Sequence, residues 1–368
     1  MISSRAIVFT GNGAPSVHVP PSSQEQPLIK WKDFKSLKAL GLSAILGFAA
    51  ITGAIGTAQA QENCANRGDL DGIYCDANKD MVADTPSDPK KLKTPSTLVF
   101  TYTPVEDPAV YEKIYKPFTE HLGQCTGKKV VYFQVQSNAA QIEAMRSGRL
   151  HVGGFSTGPT AFAVNIAGAV PFAVKGTEVA GQGYNLIVIV KASSKFQKLS
   201  DLKGSKVAHT APSSNSGHMA PMALFPKNGL TPEKDYKILF SGKHDQSVLG
   251  VNSGDYDGAA VASDVFERMA KRGTVKEADF RIIYTSPRFP TSSFAYAHDL
   301  EPTFRDRMLK CFYDYRFNDE MKKAFDGADR FYAITYQKDW AIVREVAEAG
   351  GESFNRAAYD KESAKAKK

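Results

Sequence analysis

A run of hydrogen-bond donors is the first feature of this sequence that could do chemistry. Ser213, Ser214, Asn215 and Ser216 stand side by side and are followed by Gly217. The run lies between an expected strand at 206–209 and an expected helix at 217–224. Donor side chains beside the unpaired N–H groups of a helix N-terminus suit a tetrahedral oxyanion. An ordinary N-cap is the alternative, but a cap needs one such residue and here there are four, which favours an anion site.

A second strand-to-helix junction carries Lys243, His244 and Asp245. His244 can donate a hydrogen bond to an anionic oxygen, and Lys243 adds positive potential. The alternative is a surface histidine beside a capping Asp245, and this junction taken alone favours that alternative.

Two more junctions, in the first half of the chain, end expected strands with polar residues that could contact the same ligand. A tyrosine at one of them could pack over a ligand or fill the core. The candidate residues at these junctions are Tyr102, Thr103, Ser156, Thr157, Gly158 and Thr160.

The elements that must position these residues alternate between strand and helix, and the alternation restarts after a β-rich run at 184–190. This pattern predicts an α/β fold, with parallel sheets covered by helices on both faces. Two such units joined near 184 and near 284–287 predict two lobes with a cleft, where ligands bind at the carboxyl ends of strands. The expected strands are 98–102, 129–134, 150–153, 206–209, 237–240, 259–261 and 281–284. The expected helices are 109–122, 139–146, 160–166, 217–224, 246–252 and 264–271, with a mainly helical region from 302 onward.

The charge balance does not require a polyanionic partner. The chain has 368 residues and a formal charge of +7, from 46 Lys and Arg against 39 Asp and Glu. Residues 1–60 contribute five basic and two acidic groups, so the other 308 residues carry 41 and 37. This excess is too small and too evenly spread to indicate a nucleic-acid surface.

The first sixty residues have the pattern of a secretory signal peptide. The uncharged run 39–55 follows four lysines between 30 and 38 and leads to Ala58-Gln59-Ala60. A basic region, a short apolar region and an Ala-x-Ala site predict cleavage near Ala60 and an exported mature chain. A membrane anchor is the alternative, but the run is short and is diluted by glycine and threonine.

Export changes the interpretation of the four cysteines. Cys64 and Cys75 lie eleven residues apart in a turn-rich stretch, which predicts a disulfide in an oxidising compartment. Cys125 and Cys311 could form a second bond or remain buried thiols, and the sequence leaves both open.

The polar segment 61–96 contains a weak candidate for a calcium site. Asp76, Asn78, Asp80 and Asp84 alternate along the chain as oxygen ligands of calcium loops do. The glycine and the bidentate glutamate of such loops are missing, so a polar N-terminal arm without a metal is the simpler interpretation.

The order of these motifs resembles the periplasmic substrate-binding proteins of phosphate, phosphite and phosphonate ABC transporters. The resemblance runs from about residue 98 to about residue 309. It rests most on residues 214–217 (Ser-Asn-Ser-Gly), with Pro221 four residues later, and on residues 242–245 (Gly-Lys-His-Asp). Residues 103–108, 145–150 and 199–204 add weaker matches.

The resemblance implies a two-lobed, type II periplasmic-binding-protein fold joined by two hinge strands. It places a signal peptide and leader at 1–60, the polar arm at 61–96, lobe 1 at 97–183 and 285–360, lobe 2 at 184–284 and a disordered tail at 361–368. It implies a periplasmic monomer that has no cofactor, binds no nucleic acid and delivers a small oxyanion to an ABC permease in the inner membrane. By position, Ser214, Asn215, Ser216 and His244 would hold the oxyanion, with further contacts near Tyr102–Thr103 and Ser156–Thr160.

Three departures from the family pattern bear on the ligand. Asn215 stands where the family usually has Thr, and Phe162 stands where it has Tyr, so one hydroxyl would be missing. Residues 258–263 (Gly-Ala-Ala-Val-Ala-Ser) lack the acidic residue of aminophosphonate binders, and Asp264 lies beyond them. A buried ammonium needs a partner, so we expect phosphite, phosphate or a small phosphonate without an amine.

Two other functional classes remain as alternatives. An oxyanion-binding protein that serves a membrane sensor would have the same cleft. An exported phosphoester or phosphonate hydrolase would need a catalytic motif, and the sequence contains no Gly-x-Ser-x-Gly, His-Glu-x-x-His or P-loop pattern.

Overall fold

Two mixed β-sheets organise the chain, which this computed structural model describes from residue 64 to residue 365. The strands in these residues are β1 (Thr97–Tyr102), β2 (Lys129–Tyr132), β3 (Val152–Phe155), β4 (Ala169–Gly176), β5 (Gly183–Lys191), β6 (Val207–His209), β7 (Ile238–Phe240), β8 (Gly258–Ala262), β9 (Phe280–Pro290), β10 (Ser293–Ala297) and β11 (Arg330–Ala333). The predicted signal peptide lies outside the described residues.

Helices cover these sheets in the order that the sequence predicts. They are α1 (Pro108–Thr126), α2 (Asn138–Arg146), α3 (Thr157–Ala167), α4 (Ala220–Leu224), α5 (His244–Ser253), α6 (Ser263–Lys271), α7 (Pro302–Asp314), α8 (Asp319–Ala324), α9 (Tyr336–Asp339), α10 (Ala341–Ala349) and α11 (Arg356–Lys365). Short polar caps set several of their starts. The carboxylate of Asp107 accepts from the N–H of Ala109, and Pro108 occupies the first helical position of α1.

The first sheet has the strand order β11-β4-β10-β3-β1-β2. Strands β1, β2 and β3 are parallel, whereas β10 runs antiparallel to both β3 and β4. An aromatic cluster covers one side, where Phe100 packs against Tyr115, Phe118 and Phe294. The prediction of an all-parallel sheet is therefore wrong, because strand-helix alternation cannot report the direction of strands that return from another sheet.

The second sheet has the order β7-β6-β8-β5-β9, with β5 antiparallel to both of its neighbours. Strands β5 and β9 are long and pair from Gly183 to Lys191. Each leads directly from or into a strand of the first sheet, so the chain passes between the sheets twice here. These two connections correspond to the expected hinge strands, while the lobe boundaries themselves stay a prediction.

The residues before β1 pack on the first sheet through a half-buried carboxylate. Asp71 accepts hydrogen bonds from Arg146 at the end of α2 and from Arg356 at the start of α11. Burial would raise the pKa of Asp71, but the two guanidinium groups outweigh it and lower that pKa. Helix α11 continues to Lys365, into the segment expected to be a disordered tail.

The candidate calcium segment folds as a series of side-chain-capped turns. Asp76 accepts from the N–H groups of Asp80 and Met81, and Asp84 accepts from that of Ala77. Within residues 64–365, no group of three or more His, Cys, Asp or Glu residues is arranged to hold a metal ion.

No helix within the described part of the chain is long and apolar enough to cross a bilayer.

Two disulfides hold parts of this fold together. Cys64 bonds to Cys75, as predicted, and Cys125 bonds to Cys311, which decides the pairing that the sequence left open. The second bond joins α1 to α7 beneath the aromatic cluster and closes a loop of 186 residues.

Replacing Cys125 and Cys311 by Ala is expected to lower the free energy of unfolding by about 2–5 kcal/mol, because a long loop is released in the unfolded chain. Urea denaturation measures the change. Replacing Cys64 and Cys75 by Ala is the control and should cost less, since that bond closes a short loop. An equal effect of the two pairs would contradict this account.

Candidate functional site

A small polar cavity of about 30 Å³ lies where the carboxyl ends of strands from both sheets meet. Its wall brings together residues from seven separate segments of the chain. Those predicted from the sequence are Tyr102, Ser156, Thr157, Ser214, Asn215, Ser216 and His244. Those that the sequence did not single out are Val105, Tyr184, Ala262, Asp264, Val265, Arg268, Thr291 and Ser292.

The loop after β6 forms one wall. Ser214 is the N-cap, and its Oγ accepts a hydrogen bond from the N–H of Gly217 at 3.1 Å. The expected helix begins as a π-helical turn, Asn215–Met219, before α4. Such turns are rare and frequently lie at functional sites. The side-chain amide of Asn215 donates to Tyr184 Oη at 3.1 Å. This hydrogen bond fixes the orientation of the Asn215 amide group in the cavity wall.

Ser216 supplies the most informative hydroxyl of this loop. Its side chain is 1% exposed, and its Oγ has no hydrogen-bond partner within residues 64–365. A buried hydroxyl without a partner is costly, and it faces the cavity. The Ser216 hydroxyl is therefore positioned to donate a hydrogen bond to a ligand in the cavity.

Gly217, at the end of the predicted donor run, does not line the cavity and has a packing role. A Cβ at this position would lie 1.8 Å from Thr210 Oγ1 and 2.8 Å from Ser214 Oγ. Only glycine lets Thr210 lie across the turn.

A buried chain of polar rings supports the same loop from behind. His209 Nδ1 lies 2.9 Å from His218 Nδ1, and His209 Nε2 lies 2.7 Å from Tyr236 Oη. Burial lowers the pKa of His209 well below its usual range, and the nearby His218 lowers it further. The ring is therefore neutral at neutral pH.

His244 begins α5 and presents a defined tautomer to the cavity. The N–H of Ala262 donates to its Nδ1 at 3.1 Å, so the neutral ring carries its proton on Nε2. Burial lowers the pKa of His244 to about 4. The side chain is thus a neutral N–H donor.

A charged cluster lies near this histidine. Arg268 donates to Asp264 at 2.8 Å and, through Nε and Nη2, to Glu106 at 3.3 Å. Glu106 also accepts from Tyr111 Oη at 2.8 Å and pairs with Arg272. Burial alone would raise the pKa of Asp264, but Arg268 reverses the shift and keeps the carboxyl ionised. Asp264, which lies just beyond the stretch 258–263 that lacks an acidic residue, therefore lines the cavity.

The N-terminus of α3 forms the wall contributed by the first sheet. Ser156 is the N-cap residue without a capping hydrogen bond, so its hydroxyl is available to the cavity. Thr157 donates to the carbonyl of Pro290 at 2.9 Å. The N-terminus of α3, together with those of α5, α6 and the π-helical turn, adds positive electrostatic potential at the cavity.

Besides Gly217, three predicted residues lie outside the cavity wall. Thr103 is buried, and its Oγ1 lies 3.5 Å from Asn138 Oδ1. Thr160 turns inward and hydrogen-bonds with Ser293 Oγ at 2.8 Å. Gly158 contacts the opposite loop, because a Cβ there would lie 2.3 Å from the carbonyl oxygen of Ser213 and 2.9 Å from the nitrogen of Asn215.

The departure at Phe162 does not remove a hydroxyl from this wall. Its ring is fully buried and packs edge-on against Phe354 at 5.1 Å. The position belongs to the core of the first sheet, so the inference of a missing ligand contact there is wrong.

A model of the family described as the periplasmic phosphonate substrate-binding protein of ABC transporters matches residues 100–340. The chain belongs to this family. Its members are periplasmic substrate-binding components of transporters and not enzymes.

Two relatives in this family are informative. The phosphate-import protein PhnD of Mycolicibacterium smegmatis is 28% identical over 263 residues, covering 68% of this chain and 81% of the relative. The probable ABC transporter phosphite-binding protein PhnD1 of Prochlorococcus marinus is 22% identical over 232 residues, covering 61% and 75%.

Solved structures confirm the expected type II periplasmic-binding-protein fold. The binding component of an ABC phosphonate transporter from Pseudomonas aeruginosa has a TM-score of 0.63 at 23% identity and covers 74% of this chain and 96% of its own. PhnD1 of Prochlorococcus marinus, in complex with methylphosphonate, has a TM-score of 0.63 at 19% identity and covers 71% and 100%.

Signals for two of the missed wall residues were present in the sequence. Thr291 and Ser292 belong to a run of hydroxyl residues. Because β10 was not predicted, the sequence did not indicate that this run lies at the start of a strand. Arg268 reads as an ordinary helix residue, and only the fold brings it to Glu106. No local pattern distinguishes Tyr184 from a core tyrosine of β5.

Acidification is expected to destabilise this family member through its buried histidines. The folded pKa values of His209 and His244 lie below the unfolded value of about 6.5, so the unfolded chain binds more protons beneath that pH. The free energy of unfolding should fall by about 2–3 kcal/mol between about pH 7.5 and about pH 5.5. Urea titrations measure it. His244→Gln should remove about half of the slope, and a flat wild-type profile would contradict the assignment.

Gly158→Ala is expected to hold the two sheets apart. The new methyl group meets backbone atoms of the opposite loop, and overpacking of this kind costs about 1–3 kcal/mol. The closed arrangement should therefore be depopulated by about 5- to 150-fold, which small-angle X-ray scattering detects as a larger radius of gyration. Gly72→Ala is the control, because its new methyl group would meet only Arg67, at 3.8 Å. Identical scattering from wild type and Gly158→Ala would disprove the role of this contact.

Proposed function

We propose that this protein captures a small phosphorus oxyanion between its two sheets and delivers it to an ABC importer. The observation that carries the proposal is the convergence of the Ser216 hydroxyl, the Nε2–H of His244 and several helix N-termini on one cavity. These are neutral donors arranged around one point, which suits a tetrahedral anion with several acceptor oxygens. Relatives named for phosphate and phosphite and a relative bound to methylphosphonate support the same ligand class.

The charge of the wall narrows the choice of ligand. Asp264 is ionised and faces the cavity, so a fully deprotonated oxyanion would be repelled by it. A ligand with a P–OH group or an ammonium group offers this carboxylate a hydrogen-bond donor. Phosphate, phosphite and small phosphonates can carry such a P–OH group. The side chains of Val105, Ala262 and Val265 provide apolar contact for a short substituent on the ligand.

The same carboxylate favours a second candidate ligand class, the aminophosphonates. The sequence argued against an amine because no acidic residue was expected at the site. With Asp264 in the wall, an ammonium would have a partner, although that carboxylate already pairs with Arg268.

The location and partner follow from the family. We propose that residues 1–60 are removed near Ala60 during export, that the mature chain is a monomer in the periplasm, and that an inner-membrane permease receives the ligand. A membrane sensor in place of the permease would leave the cavity unchanged.

Calorimetric titration with phosphite, phosphate, methylphosphonate and 2-aminoethylphosphonate tests the ligand class. We expect tight binding of at least one compound and a matching rise of the melting temperature, because a ligand that binds only the folded state stabilises it. Absence of binding to all four compounds would overturn the proposal. Tightest binding of the aminated compound would select the second class. Release of a product during the titration would indicate an enzyme.

Ser216→Ala and His244→Ala are expected to weaken binding of the preferred compound by about 1–3 kcal/mol each, because each removes a hydrogen bond to a charged group. Ser253→Ala is the matched control, since this serine lies exposed at the end of α5. Changes of less than about 0.3 kcal/mol for both cavity variants would place the ligand elsewhere.

A further inference from the structure

Lys175 is a buried cation beside the cavity that neither the sequence motifs nor the wall residues include. It lies on β4, and its side chain is 2% exposed. Its Nζ donates to Tyr102 Oη at 2.6 Å and lies 3.4 Å from Thr291 Oγ1. Both of these partners belong to the cavity wall.

The surroundings of this ammonium lack a close counter-charge. Within the described residues, no carboxylate oxygen lies within 4 Å of its Nζ, and its remaining neighbours are the rings of Tyr102 and Phe325, with centroids at 5.1 and 4.9 Å. Buried lysines are rarely left without an anionic partner, because desolvation of the charge is costly. In the described part of the chain, the fold therefore gives this positive charge no direct ion pair, and only the more distant Asp264 feels it.

The hydrogen bond to Tyr102 has a direction that matters for the cavity. An ammonium can only donate, so the oxygen of Tyr102 accepts from Lys175 and its own proton must point elsewhere. A phenol that accepts from a cation becomes a better donor, because the bond polarises its O–H group. The hydroxyl of Thr291, on the other side of Nζ, likewise accepts from the ammonium and directs its own proton elsewhere.

We propose that Lys175 is a positioning residue that supplies the counter-charge for the bound anion and acts through the hydroxyl of Tyr102. The inference rests on the proposed function and adds a specific electrostatic role for a residue outside the wall. It also accounts for a cavity that contains the carboxylate of Asp264 and still receives an anion. Lys175 offsets that charge from the first sheet, as Arg268 does from the second.

Lys175→Met tests the role of the charge, with Lys175→Gln as a second variant that keeps an N–H donor. Both should weaken the binding of phosphite, phosphate and methylphosphonate by about 10- to 100-fold, in proportion to the loss of a charge-assisted hydrogen bond. The ligand-free melting temperature should change by less than about 4 °C, because the ammonium is not needed by the fold. Lys237→Met, which removes the same charge from an exposed position, should change the affinity by less than about twofold.

A double-mutant cycle with Tyr102→Phe separates positioning from a purely structural effect. If Lys175 acts through the tyrosine hydroxyl, Lys175→Met should cost less than about threefold in affinity once that hydroxyl is gone. Equal losses in both backgrounds would overturn the proposal. So would unchanged affinity of Lys175→Met, or a variant that unfolds, because the charge would then serve the fold. A wild-type protein that binds none of the three anions would instead refute the proposed function.

Discussion

The close contact between two loops from different sheets is the constraint on which the rest of this structure depends. Gly158 at the start of α3 lies against the backbone of Ser213 and Asn215, at a distance that leaves no room for a side chain. The amide of Asn138 donates to Ser213 Oγ at 3.2 Å, and the N–H of His244 donates to the carbonyl of Val105 at 3.2 Å. These contacts bring four helix starts to one point, and they do so only when the two sheets are closed on each other.

Closure also pairs a buried carboxylate with cations from the other sheet. Glu106 belongs to the loop after β1, whereas its partners Arg268 and Arg272 belong to the last turn of α6 and to the residue after it, on the second sheet. Glu106 would be costly to bury without a cation, and both of its guanidinium partners lie across the seam. The cavity beside them combines these fixed charges with neutral donors, since His244 and His209 are kept uncharged by burial. We therefore propose that recognition of an anion by this family member depends on arranged dipoles and distant cations more than on a direct ion pair.

The sequence was informative where the chemistry is local. The donor run ending at Ser216 and the junction at His244 were found because a strand followed by polar residues and a helix is a short-range pattern. The same reasoning failed at Thr103 and Thr160, whose hydroxyls turn toward Asn138 and Ser293. Residue type and spacing state that a donor is present, but its direction depends on which neighbour packs beside it.

The sequence by itself determined the α/β alternation, the order of the junctions, the export pattern and the Cys64–Cys75 bond, because each is written in residues near one another along the chain. Only the tertiary structure decided the strand directions, the Cys125–Cys311 bond and the charged side of the cavity. Asp264 and Arg268 lie one turn apart on α6, but no periodicity connects them with Lys175 on β4 or with Glu106 after β1, and only the fold brings these charges close to one another. The physical reason is that electrostatic and packing energies depend on separation in space, which a chain of 368 residues fixes only when it folds.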